Sequence, residues 1–226
     1  MSFYKELEDA TRTEREQLLS IPFLVAGAAG NISLDSYIAF LTQAYHHVKH
    51  TVPLLMACGS RLPEHKEWLR EAIGEYIEEE MGHQEWILND IKACGGDAEY
   101  VRCSKPAIST EMMVSYAYDT IARNNPVSFF GMVMVLEGTS IELATRAAEN
   151  LQQRFGLPSK AFTYLLSHGS LDIEHVDFFK SLMNKITDQA DKQAIIHCAK
   201  VMYQLYGNIF ENLPLQLNGV NYEASH

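Results

Sequence analysis

The chain has 226 residues, 47% of them hydrophobic, which is enough for one sizeable core and too little for two comfortable domains. Eighteen basic against 29 acidic residues give a net charge of -11 and a pI near 5.2, a balance that excludes a phosphate backbone or an anionic membrane surface as the natural partner. The four cysteines, Cys58, Cys94, Cys103 and Cys198, show no CxxC spacing, a usage that fits a reducing cytoplasm. The first twenty residues are charged throughout and nowhere do eighteen apolar residues run together, so neither a secretion signal nor a membrane span is expected.

In chain order, apolar residues recur at three- and four-residue spacing almost everywhere, and the fold is expected to be all-α, a single domain over residues 1–226 with the last dozen residues as a tail. Helices are expected near 3–19, 34–57, 64–94, 109–123, 127–153, 159–186 and 189–211. Gly- and Pro-bearing breaks separate them, such as IPFLVAGAAGN at 21–31 and ACGGD at 93–97. Ser33 with Ser36 three residues on reads as a helix cap, and Pro158–Ser159 as a helix start.

Placing each ionisable residue on its helix at about 100° per residue shows which face it shares. In the helix near 64–94, Glu80 lies centrally on the face of Leu69, Ile73, Tyr76 and Ile87, with His83 beside it. This ExxH pair is the spacing that lets two side chains of one helix share a metal; Glu79, on the polar flank, is the rival of Glu80. In the helix near 127–153, Glu137 shares its face with Phe130, Val133, Met134, Ile141 and Ala144, while Glu142 and Arg146 lie opposite. In the helix near 159–186, His168, Asp172 and His175 fall on the stripe of Tyr164, Leu165, Phe179 and Leu182. Taken singly, each feature has a plain structural explanation: a buried histidine on a backbone carbonyl, a solvated EEE run, or an ion-pair partner for Glu137. Three helices aiming carboxylate or imidazole at a common interior are harder to explain so, because each buried charge adds a desolvation cost that a cation offsets. Three carboxylates and three imidazoles without a thiolate suit iron or manganese better than structural zinc.

His46, His47 and His50 form a separate group. His46 and His50 share a stripe with Ala39 and Gln43 that reads as solvated or inter-helix polar surface, with His50 as a candidate hydrogen-bond support for a ligand. Met112, Met113, Met132 and Met134 with Phe129 and Phe130 read as core, or as the lining of an apolar substrate pocket.

His83, Glu137 and the HxxxDxxH of His168, Asp172 and His175 together resemble the ligand pattern of haem-oxygenase-like di-iron oxidases and oxygenases, over about residues 35–185. FLTQAYHHVKHTVPLL is similar to a central helix of that superfamily, and VLEGTS to the distal-helix segment of haem oxygenases. The resemblance implies a seven-helix, thiaminase-II-like bundle with a cavity for two iron ions, dioxygen and a small-molecule substrate, and is compatible with a homodimer. On this reading Glu80, His83 and His175 are expected to hold one iron, and Glu137, His168 and Asp172 to hold or bridge to the second. Some relatives carry the first glutamate seven residues before the histidine, where this chain has Tyr76; others, including a fatty-acid decarboxylase, carry it three before, at Glu80 here. Tyr76 is then a candidate radical site or ligand support. No histidine precedes His46, where haem oxygenases carry a proximal ligand, so haem is not expected. The rival readings are a metal-free oxidase or thiaminase-like hydrolase of the same fold, and a non-enzymatic helical interaction protein.

Overall fold

A computed structural model of the chain describes residues 2–217, with the side chains of all but residues 141, 142 and 168–175. The described residues form twelve α-helices: α1 Phe3–Ala10, α2 Arg12–Leu19, α3 Pro22–Ala28, α4 Leu34–Val48, α5 Thr51–Arg61, α6 Glu67–Glu80, α7 His83–Ala93, α8 Ala98–Cys103, α9 Ile108–Arg123, α10 Phe130–Phe155, α11 Thr163–Lys185 and α12 Gln189–Glu211. Among them there is no strand, only an isolated antiparallel bridge between Ile32 and Leu217. The expected all-α class holds.

The last four helices fall within a few residues of their expected bounds. Three expected helices are divided. The first breaks at Thr11, whose hydroxyl donates to the Leu7 carbonyl at 2.8 Å and so competes with the helical amide ladder. The second breaks at Lys49–His50. The third, expected near 64–94, breaks at Met81–Gly82, where Met81 is extended and Gly82 has φ +94°, a conformation that glycine alone adopts without strain. Glu80 therefore ends α6 and His83 begins α7, so the ExxH pair is not carried on one helix face as expected.

Local capping sets several starts. Ser2, Ser33, Asp97 and Asp188 each accept a backbone N–H with a side-chain oxygen. The long helices α10, α11 and α12 pack on one another, and one apolar cluster runs through the molecule around fully buried Tyr37, Phe130 and Phe162. Gly131 sets the approach of α10 to α12: a Cβ built there would lie 2.6 Å from both the Ala199 amide nitrogen and the Ile195 carbonyl oxygen. The stretch Pro126–Phe155 is long and apolar enough by composition to cross a membrane, but 62% of its most apolar window is buried within the protein. After α12 the chain returns to the start of α4, where Ser33 N donates to Gln216 O at 2.8 Å and the Ser36 hydroxyl to Pro214 O at 2.6 Å; residues 218–226 of the expected tail lie outside the described residues.

Candidate metal centre

The elements α4, α5, α6, α10, α11 and α12 contribute to a cavity of about 70 Å³ whose lining includes His47, Tyr76, Glu80, Phe129, Met132 and Glu137. Two of the expected ligands, Glu80 from α6 and Glu137 from α10, thus reach one interior space. Behind Glu80, His83 is buried, with its Nδ1 3.1 Å from Glu80 Oε2 and its ring 4.0 Å from that of Trp86. An ionised Glu80 at that distance accepts a hydrogen bond from the Nδ1–H of a neutral ring, which would leave Nε2 as the lone-pair nitrogen, the tautomer a metal ligand needs. The Glu80 and His83 pair survives the break in the helix because the turn at Gly82 brings the first residue of α7 back to the last residue of α6. Glu79, the rival of Glu80, is exposed and does not line the cavity.

Tyr76 sits one turn before Glu80 on α6 and is 2% exposed. Its Oη is buried and has no hydrogen-bond partner among the described residues. Burial first, and then the charges of Glu137, Glu79, Glu80 and Glu75, hold the phenol well above its usual range, so it stays protonated at neutral pH. An uncommitted buried hydroxyl on a residue that lines a cavity with two carboxylates is costly unless the site supplies a partner.

His46 and His50 make the inter-helix polar contacts that their shared stripe allowed, and His47 faces elsewhere. His47 lines the cavity, whereas His50 Nδ1 lies 3.2 Å from Tyr118 Oη and does not line it. His50 therefore supports α9 and not a cavity residue, because the chain turns at Lys49–His50 and carries its ring to the other side. His46 is buried, not solvated, with Nε2 3.0 Å from Ser104 Oγ; burial and then Lys49 and His50 lower it to about 4. Of the methionines, Met113, Met132 and Met134 are buried while Met112 is 55% exposed. The side chains of His168, Asp172 and His175 lie outside the described residues, and among the described residues no three His, Cys, Asp or Glu side chains form a metal-holding group. The donor types present, the cavity carboxylates of Glu80 and Glu137 with the His83 imidazole bonded to Glu80, fit iron.

A second cavity of about 70 Å³ adjoins the first, sharing Ser140, Tyr164 and Tyr206 as its wall. Its remaining lining is mostly apolar, including Phe23, Leu24, Phe40, Leu143 and Leu151, with Thr139 and Tyr37 as the other hydroxyl-bearing residues and no charged one. Glu137 also borders a polar cavity beneath α1 and α2, together with Lys5, Arg12 and Arg15. None of the buried cysteines is poised as a nucleophile: burial pushes Cys58 and Cys198 up to about 12 and Cys94 up to about 11.

Sequence patterning did not single out Asp90, and it set His47 only within the histidine group of α4, without a role. His47 continues the stripe Phe40, Ala44, Thr51, and Asp90 the stripe His83, Ile87, Cys94, so each is a polar residue within an apolar line.

A family model described as iron-containing redox enzyme matches residues 38–207. The chain belongs to that family. No curated protein matches this iron-containing redox family member in sequence. Among solved structures it is similar to a domain of unknown function with a haem-oxygenase-like fold from Shewanella denitrificans, with TM-score 0.81, 23% identity and coverage of 92% of this chain and 90% of that one. It is similar also to a TenA homologue from Pyrococcus furiosus, with TM-score 0.76, 16% identity and coverage of 92% and 98%. A haem oxygenase from Synechocystis in complex with haem gives TM-score 0.72, 12% identity and coverage of 93% and 91%. These likenesses establish the haem-oxygenase and TenA type of fold for this family member.

Proposed function

We propose that this iron-containing redox family member is a non-haem oxidase or oxygenase that holds two iron ions and uses dioxygen on a small organic or fatty-acid-like substrate. The observation that carries the reading is the meeting of Glu80 and Glu137, from helices far apart in sequence, on one cavity beneath the uncommitted hydroxyl of Tyr76. Glu80, His83 and His175 would hold one iron, and Glu137, His168 and Asp172 the other. When bound, iron supplies the electrons that dioxygen reduction needs.

The chain's own residues do the rest. Glu80 and Glu137 bring negative charge to balance cations, and Glu80 keeps the His83 ring in the ligating tautomer. Phe129, Met132 and Leu136 close the cavity with apolar surface and limit water. Tyr76 keeps a proton at Oη within the cavity, available as a donor or as a hydrogen-atom source. The neighbouring apolar cavity supports a substrate with a hydrocarbon portion, since nothing charged would meet it there. Haem is not part of the proposal: no histidine precedes His46, where haem oxygenases carry a proximal ligand. The raised, buried cysteines do not favour a thiaminase-like hydrolase.

Anaerobic ferrous titration of metal-free protein tests the reading. The expected result is about two iron ions per chain, as in other carboxylate-bridged di-iron proteins, with His83→Ala and Glu137→Ala each reducing the iron held. No iron uptake by the parent protein overturns it.

A further inference from the structure

Asp90 of α7 is fully buried, and both of its carboxylate oxygens are committed to backbone: Oδ1 accepts from Thr163 N at 3.1 Å and Oδ2 from Tyr164 N at 2.8 Å. These are the first two amides of α11, which have no partner within their own helix. The residue that would normally cap them is Phe162, which offers no oxygen and instead stacks on Tyr37 with ring centroids 5.3 Å apart. The cap is thus supplied from 73 positions earlier in the chain. Burial raises Asp90 to about 6 despite its bonds to Tyr164 and Thr163, so the arrangement carries a cost.

What that cost secures is the docking of one helix on another. Asp90 follows His83 by seven residues, two turns along the same stripe of α7, about 20° away in angle. Tyr164 precedes His168 by four residues and Asp172 by eight, one and two turns along α11, and its side chain forms part of the wall between the two cavities. A second pair of bonds pins the same corner: the Ala161 carbonyl accepts from Tyr37 Oη at 3.1 Å and from the Cys94 thiol at 3.9 Å.

We propose that Asp90 is a positioning residue for the iron centre, holding the start of α11 on α7 so that the HxxxDxxH stripe and His83 stay in register. The proposal rests on the iron reading above, and it concerns a carboxylate that does not itself line either cavity.

The test is ferrous affinity, measured anaerobically, against the thermal midpoint of the metal-free protein, for Asp90→Asn, Asp90→Glu and Asp191→Asn. Asp191 is the control for lost stability: it is a second buried carboxylate, bonded to Asn125 and Lys66, that lines neither cavity. Asp90→Asn should weaken ferrous binding by about tenfold or more, the scale seen when an outer partner of a metal ligand is removed, while Asp191→Asn binds as the parent does. Asp90→Glu keeps the charge and both acceptors but lengthens the tether by one methylene, so it should also bind iron more weakly; it serves if the asparagine variant does not fold. Cobalt-substituted protein adds a readout of ligand geometry, and its visible spectrum should change shape in the Asp90 variants only. Asp90 variants that melt earlier but bind ferrous iron like the parent overturn the proposal. So does a loss of iron by Asp191→Asn that tracks its stability loss equally. If the parent takes up no iron, the iron reading falls and this proposal falls with it.

Discussion

The polar residues buried in this protein answer to two different demands, and single substitutions separate them. Tyr76 buries a hydroxyl that no described residue satisfies, so Tyr76→Phe should leave the metal-free protein as stable or more stable, by about 1 kcal/mol, the usual cost of an unsatisfied polar atom. A rise in thermal midpoint together with loss of oxidase turnover would mark the hydroxyl as kept for function; a fall in midpoint would show that it has a structural partner. His46 works the other way. Its pKa in the fold is lowered to about 4, with burial as the first cause, so between pH 6.5 and 4 the unfolded chain takes up a proton that the folded chain refuses, and stability falls as pH falls through that window. Asp90, raised to about 6, has the opposite sign: the folded chain binds its proton more readily, so its contribution is lost as pH rises through about 6. Thermal melts from pH 7 to pH 4.5 should therefore show a smaller acid-side loss in His46→Gln than in the parent. An identical slope in the two proteins would rule out His46 as a source of the pH dependence.

Two glycines set how the elements meet. At Gly131 an added Cβ would strike the α12 backbone at 2.6 Å, and backbone cannot yield as a side-chain tip can. Gly131→Ala should destabilise by about 1–3 kcal/mol, the range for overpacking, and urea melts will show it. Gly82 is different in kind, since no atom lies within 4 Å of a Cβ built there and only its φ of +94° resists replacement. Gly82→Ala should cost about 1–2 kcal/mol from the left-handed backbone alone. It should also lower iron content, because the turn it distorts sets Glu80 against His83. Stability loss with full iron content would show that the pair tolerates a change in that turn. The break at Gly82 was not legible in the apolar period, which continues in phase from Tyr76 through His83 to Ile87. One glycine in an otherwise helical run is an equally good mark of a tolerated helical residue.

At the scale of the whole molecule, a site whose ligands come from several helices should couple metal to folding. Iron at a hundred times its dissociation constant would raise stability by about 2.7 kcal/mol, so the thermal midpoint should climb with added ferrous ion in the parent and climb less in Glu137→Ala. Equal midpoints with and without iron in the parent would mean that the metal does not bind the native fold preferentially.

The sequence alone determined the helical class, the bounds of α9 to α12, and the choice of Glu80, His83 and Glu137 as polar residues on apolar faces, since all of these follow from a 3.6-residue period that each helix carries within itself. The tertiary structure decided which faces meet. It turned His47 and not His50 toward the cavity, joined the carboxylate-lined space to an apolar one through Ser140, Tyr164 and Tyr206, and supplied the cap of α11 from Asp90. The periodicity of a helix records where its own apolar stripe lies; it holds no record of the residue across the gap, and a carboxylate that caps a helix 73 positions away has no local signature.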